Sequence, residues 1–191
     1  MFDNIIQLQM PLTKADMANL NIGDVLEFTG PIYTARDAAH KRFEIALKEG
    51  RPLPLDLTDK IIFYAGPCPT KPGRVMGSVA PTTSMRMDCF VEMTFQLGML
   101  AMIGKGDRSD FVPGLCKKYG GVYLLSISGV SALISDHVKT CEEVAYQDLG
   151  TESIKKLGVE KLRLFVGIDT KGRVFQEEQI KIYRRQTASN N

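Results

Sequence analysis

No C-x-x-C pair, no long apolar run and no block of like charge occurs in this chain of 191 residues, and each absence removes a class of function. The four cysteines, Cys68, Cys89, Cys116 and Cys141, are spread too widely for a zinc or local iron–sulfur motif. They read as buried or free thiols, and the chain by itself is expected to hold no metal. The longest greasy run, Leu97 to Ile103, falls well short of the ~20 residues that a membrane helix needs. Met1 to Leu20 alternates apolar and polar residues and carries Asp3, Lys14 and Asp16, unlike a secretory leader. A cytoplasmic protein without a membrane partner is the expectation. The net charge of +2 is too small to argue for nucleic acid, and Lys117-Lys118 and Arg184-Arg185 read as solvated faces. Walker, G-x-S-x-G and H-E-x-x-H patterns are all missing.

What is present is an ordinary globular composition, 44% hydrophobic and 24% charged. The length predicts a single domain over 1–191, with an N-terminal arm of about 1–20 and a C-terminal tail of about 184–191. Asp24 to Thr29 reads as a strand broken by Gly30-Pro31. Thr34 to Leu47 reads as a helix, with apolar residues at helical spacing, a Thr34/Asp37 capping box and Gly50 as its stop. Lys60 to Ala65 is a predicted buried strand, and Cys68 to Gly77 a loop. A second helix is predicted from Ser84 to Met102, then a strand over Val122 to Ser126. Thr151 to Leu157 reads as a short helix stopped by Gly158. Leu162 to Ile168 and Arg173 to Tyr183 read as two strands joined at Asp169-Thr170-Lys171-Gly172. The order favours an α/β or α+β domain with helices on sheet faces.

Chemistry gathers at two helix starts. Backbone N–H groups there lack intrahelical partners and attract anions, whereas a cation opposes the helix dipole. Arg36 and Arg86 both break that preference, and a guanidinium grips carboxylate through a two-pronged fork. Thr82, Thr83 and Ser84 supply more hydroxyls than one cap requires. Lys105, between Gly104 and Gly106, offers close backbone approach and a movable ammonium. His40 lies one helical turn after Arg36 and is a proton-transfer or orienting candidate. Two such starts suit the two ends of a small dianion, yet neither a strong base nor a metal cage accompanies them.

Arg36-Asp37-Ala38-Ala39-His40, Gly66-Pro67, Pro81-Thr82-Thr83-Ser84-Met85-Arg86-Met87-Asp88 and Gly104-Lys105-Gly106 follow one another in the chain. In that combination the sequence resembles the β subunit, or C-terminal domain, of class I fumarases and the related L(+)-tartrate dehydratases, from roughly Gly23 to Tyr183. One departure is Ala80, where the family commonly has glycine before Pro-Thr-Thr.

The resemblance implies a single swivelling β/β/α domain that closes over an active site shared with an α subunit, as a heterodimer or α2β2 assembly. It implies an oxygen-sensitive [4Fe–4S] cluster carried by that α subunit and none bound here. Carried over residue by residue, Arg36, Arg86, Lys105 and Thr83 bind a dicarboxylate substrate, while Thr82 and His40 are the catalytic candidates. The implied reaction is reversible dehydration of (S)-malate to fumarate. The alternatives are dehydration of tartrate to oxaloacetate, and a non-catalytic anion-binding module on the same fold.

Overall fold

The computed structural model describes residues 5–188, the last few of them by backbone alone. The ends of the expected arm and tail, 1–4 and 189–191, lie outside the described residues. The first half runs β1 (Ile5–Gln9), α1 (Lys14–Ala18), β2 (Val25–Thr34), α2 (Asp37–Lys48) and β3 (Ile61–Phe63). A 3-10 turn over Ser84–Met87 then leads into α3 (Asp88–Gln96), followed by β4 (Ala101–Gly104), α4 (Val112–Tyr119) and β5 (Val122–Ser126). Next come α5 (Ser131–Asp136), β6 (Val138–Ala145), a 3-10 segment over Gln147–Glu152, β7 (Ile154–Ile168) and α6 (Phe175–Ala188). The architecture is mixed α/β.

The sheet order is β1-β2-β3-β4-β5-β7-β6, and β2 pairs with β7 as well. Strands β2, β3, β4, β5 and β7 therefore close into a ring, with β1 and β6 flanking it. Pairing along β2–β3–β4–β5 is parallel, and β7 closes it antiparallel to both β5 and β2. Successive residues of a strand face opposite sides. Ile61, Phe63, Ala101, Ile103, Val122, Leu124, Leu164 and Val166 accordingly share one buried core. Ile62, Met102 and Tyr123 enter a second, beneath Phe43 of α2, Val91 and Phe95 of α3 and Cys116 of α4. Strands buried on both faces lose the alternating pattern, which is why β3, β4 and β5 read as short apolar runs.

Several sequence expectations need correction. Gly30-Pro31 does not end β2: a bulge between Phe28 and Gly30 absorbs the irregularity, with Gly30 at φ 144°. Helix α2 starts at Asp37, because Thr34 is still strand and its hydroxyl accepts from the Lys155 N–H (3.0 Å) rather than capping. The helix predicted over Ser84–Met102 stops at Gln96. Gly98, at φ 93°, turns the chain into β4, so part of the apolar run is strand. Of the predicted Thr151–Leu157 helix, Thr151 and Glu152 end the 3-10 segment and Ile154–Leu157 open β7. Gly158 is no helix stop but a point of close approach, where a Cβ would overlap Thr140 of β6. The expected C-terminal hairpin is also replaced. Asp169 accepts from the Lys171 and Arg173 N–H groups (3.0 and 3.1 Å) and turns the chain into α6, whose Gln, Glu, Lys and Arg residues favour helix. Strands β1 and β6 and helices α1, α4 and α5 were not expected.

Candidate functional site

Arg36 and Lys105 follow the C-terminal ends of parallel strands β2 and β4, and the Thr82–Arg86 segment is bonded to residues just past the ends of β3 and β4. Arg36 follows β2 and occupies the N-cap position of α2, without a side-chain cap bond. The cap comes instead from Glu152, remote in sequence, whose Oε2 accepts from the Ala38 N–H (3.2 Å) while its Oε1 pairs with Arg36 Nη2 (3.3 Å). Gly66 lets this happen: a Cβ there would lie 2.7 Å from the Thr151 carbonyl and 3.0 Å from Arg36 Nη1.

The Thr82–Arg86 segment is tied to the end of β3 by Thr82 N–H donating to the Tyr64 carbonyl (2.7 Å). Thr83 stands at the N-cap position of the 3-10 turn but makes no side-chain cap bond. Arg86, expected in the first turn of an α-helix, lies in that 3-10 turn. Its Nε donates to Asp37 Oδ1 (3.1 Å), its Nη2 pairs with Asp37 Oδ2, and its Nη1 donates to Thr82 Oγ1 (3.3 Å). Asp37 thus fixes the fork, and the fork touches the threonine. Lys105 pairs with Thr83 in a parallel bridge, and its Nζ donates to Ser128 Oγ (3.3 Å).

Behind this face lies a buried polar layer. Arg108 Nε donates to Asp88 Oδ1 (2.6 Å) and the Ser109 N–H to Asp88 Oδ2 (2.6 Å), with Arg108 and Asp88 side chains only 1% and 4% exposed. The Arg108 guanidinium lies over the Tyr123 ring (4.6 Å) and the Tyr64 ring (5.5 Å). Burial pushes both tyrosine hydroxyls up to about 12, so they stay protonated.

His40 sits differently from the other five candidates. It is fully buried, packed against Tyr64, Phe90 and Phe43. Its Nδ1 lies 2.8 Å from the Arg36 carbonyl, which can only accept, so Nδ1 carries the hydrogen. Burial holds its pKa down, to about 4, and the ring is neutral at physiological pH. The ring is bonded to the backbone that carries Arg36 and is closed off from solvent.

The structure connects all six sequence candidates within one region: Thr82 to Arg86, Arg86 to Asp37 beside Arg36, Thr83 to Lys105, and His40 to Arg36. Sequence reading missed Glu152, Ser128, Tyr123 and Arg108, and gave Asp37 a capping role. Only its adjacency to Arg36 signalled Asp37, and nothing local signalled the others, which come from distant segments. Among the described residues, no group of three or more His, Cys, Asp or Glu is placed to hold a metal ion. Likewise no helix among them is long and apolar enough to cross a membrane.

Three cations and two threonines gathered in one region carry the groups that suit a small molecule with more than one anionic group, with Arg36 and Arg86 already paired to Glu152 and Asp37. The chain belongs to the family described as Fumarase C-terminus, whose sequence model matches residues 3–179. It is 38% identical over 172 residues to fumarate hydratase 1, mitochondrial, of Leishmania major, covering 88% of this chain and 31% of that protein. To the aerobic class I fumarate hydratase of Escherichia coli K12 it is 37% identical over 177 residues, 91% of this chain and 32% of that one. The chain therefore spans about a third of the length of these relatives. The L(+)-tartrate dehydratase subunit beta of Escherichia coli K12 is 37% identical over 181 residues, 92% of this chain and 89% of that protein.

Proposed function

We propose that this chain is one domain, the β part of a class I fumarase-type hydro-lyase that interconverts (S)-malate and fumarate together with an α-type partner. The observation that carries the reading is the Arg86 guanidinium, gripped through two nitrogens by Asp37 and donating to Thr82 Oγ1. An N–H donated to Thr82 Oγ1 leaves the hydroxyl hydrogen free to point at substrate and stabilises negative charge on that oxygen as the proton leaves. Arg36, Arg86 and Lys105 hold the two carboxylates, and Thr83 adds a hydroxyl contact. Held this way, the dianion is oriented, and charge developing beside a carboxylate meets fixed cations. His40, buried and neutral, supports Arg36 and does not exchange protons with substrate.

Threonine is a poor base alone, so a group from the partner takes the Thr82 hydroxyl proton while Thr82 Oγ1 takes the C–H proton. The scattered cysteines here do not fit a [4Fe–4S] cluster, since Cys68 and Cys89 are exposed and Cys116 is buried. The partner is the carrier, and its open iron would supply Lewis-acid help to the departing hydroxyl. The chain swivels as a β/β/α unit to close its face on the partner. Met85 and Ile127, 49% and 44% exposed beside Arg86 and Ser128, give that face an apolar rim.

Tartrate is the second reading, supported by alignment over 89% of a tartrate dehydratase β subunit. The test is anaerobic reconstitution of this chain with its α-type partner, assayed on malate and tartrate side by side. Dehydration that requires both chains supports the reading. Equal turnover by the partner alone would sink it in favour of a non-catalytic module.

A further inference from the structure

We infer that Ser84, held by Tyr123, is a positioning residue that sets the distance between the Thr82–Arg86 segment and the Lys105 ammonium; the inference rests on reading those groups as one pocket wall. Ser84 is fully buried, directly behind the face. Its N–H donates to the Lys105 carbonyl (3.1 Å), and its Oγ accepts from the Lys105 N–H (2.9 Å). The residue next to Thr83 therefore holds both main-chain groups of Lys105. Gly104 permits the approach, because a Cβ at that position would overlap the Ser84 hydroxyl.

Tyr123 completes the arrangement. Its hydroxyl lies 2.9 Å from Ser84 Oγ and 3.1 Å from the Gly106 carbonyl. One arrangement of hydrogens satisfies every group: Lys105 N–H to Ser84, Ser84 O–H to Tyr123, and Tyr123 O–H to Gly106. Arg108 and Ser109, both held by Asp88 at the start of α3, anchor the far end of the same loop. The lysine loop is thus fastened at both ends to the segment that carries Thr82, Thr83 and Arg86. Ser84 and Tyr123 are both buried, and both are free of the proton chemistry proposed for Thr82.

The experiment uses the full chain with Ser84→Ala and Tyr123→Phe, singly and together. Hydrogen exchange at the Lys105 amide should accelerate by about 10-fold or more in each, while the Tyr64 amide, bonded to the Ile103 carbonyl, keeps its protection. In the enzyme assembled with its α-type partner, kcat on the active substrate should fall by about 10–100-fold, the cost of a slightly misplaced reacting group. KM should rise less than kcat falls, because Arg36 and Arg86 still hold the carboxylates while Lys105 shifts. The double variant should be no worse than the poorer single one, as expected for two members of one unit. Unchanged Lys105 exchange, a loss confined to KM, or losses that multiply would each overturn the inference. Should the wild-type assembly turn over neither malate nor tartrate, the proposed function fails while amide exchange still decides the Ser84–Tyr123 role.

Discussion

His40→Gln gives a measurable change in how stability depends on pH. The ring is wholly buried between Tyr64, Phe90 and Phe43, and burial lowers its pKa from the ordinary 6.5 to about 4. Asp37 nearby favours the charged form and Arg108 disfavours it, but desolvation dominates. Between those two pH values the unfolded chain binds a proton that the native state refuses, so the contribution is complete above pH 6.5 and is lost as pH falls toward 4. At about 1.4 kcal/mol per pH unit, the shift corresponds to roughly 3 kcal/mol. Urea unfolding of wild type and His40→Gln at pH 7, 6, 5 and 4 measures it. The variant should be less stable at pH 7 through lost packing, and the gap should shrink by about 3 kcal/mol at pH 4. Parallel stability curves across that range would refute the buried neutral imidazole.

Three further variants carry expected outcomes. Asp37→Asn should cost under about 1 kcal/mol in denaturant unfolding, since the Arg86 and Asp37 side chains are 47% and 35% exposed. The same variant should reduce kcat of the reconstituted enzyme by about 10–100-fold because the fork no longer points at Thr82; unchanged turnover counts against the Asp37–Arg86–Thr82 line. Asp88→Asn leaves the buried Arg108 charge without its counter-ion and should destabilise the fold by about 3–5 kcal/mol, read as a lower denaturant midpoint. Gly66→Ala should raise KM more than it lowers kcat, by displacing Arg36 while Thr82 stays in place; a wild-type KM would contradict the role given to Arg36.

Most of the site was legible because its chemistry is local in sequence. Arg36 and Arg86 stood out as cations where a helix start disfavours them, and Thr82-Thr83-Ser84 exceeded the needs of one cap. What escaped was set by long-range contacts. Glu152 reaches Arg36 only because the segment preceding β7 packs over the start of α2. Gly30-Pro31 and Gly158 looked like breaks because a glycine in a bulge or close approach is written the same way as one in a turn. The misread C-terminal segment shows the ambiguity of period: Phe175 to Tyr183 alternates loosely enough to suit a strand, but its residue types favour helix.

The β2–β7 pairing also bears on how the chain is made. Val25 sits opposite Phe165, so the ring closes only after β7 has left the ribosome. Until then β2 and β5 each present an open hydrogen-bonding edge, the kind of surface that recruits other chains. Contacts so distant in sequence also fold slowly. Synthesis therefore delivers Arg36, the Thr82–Arg86 segment and Lys105 well before the strand that locks them. A chain truncated ahead of β7 is expected to aggregate, and no partial product should assemble the wall of cations.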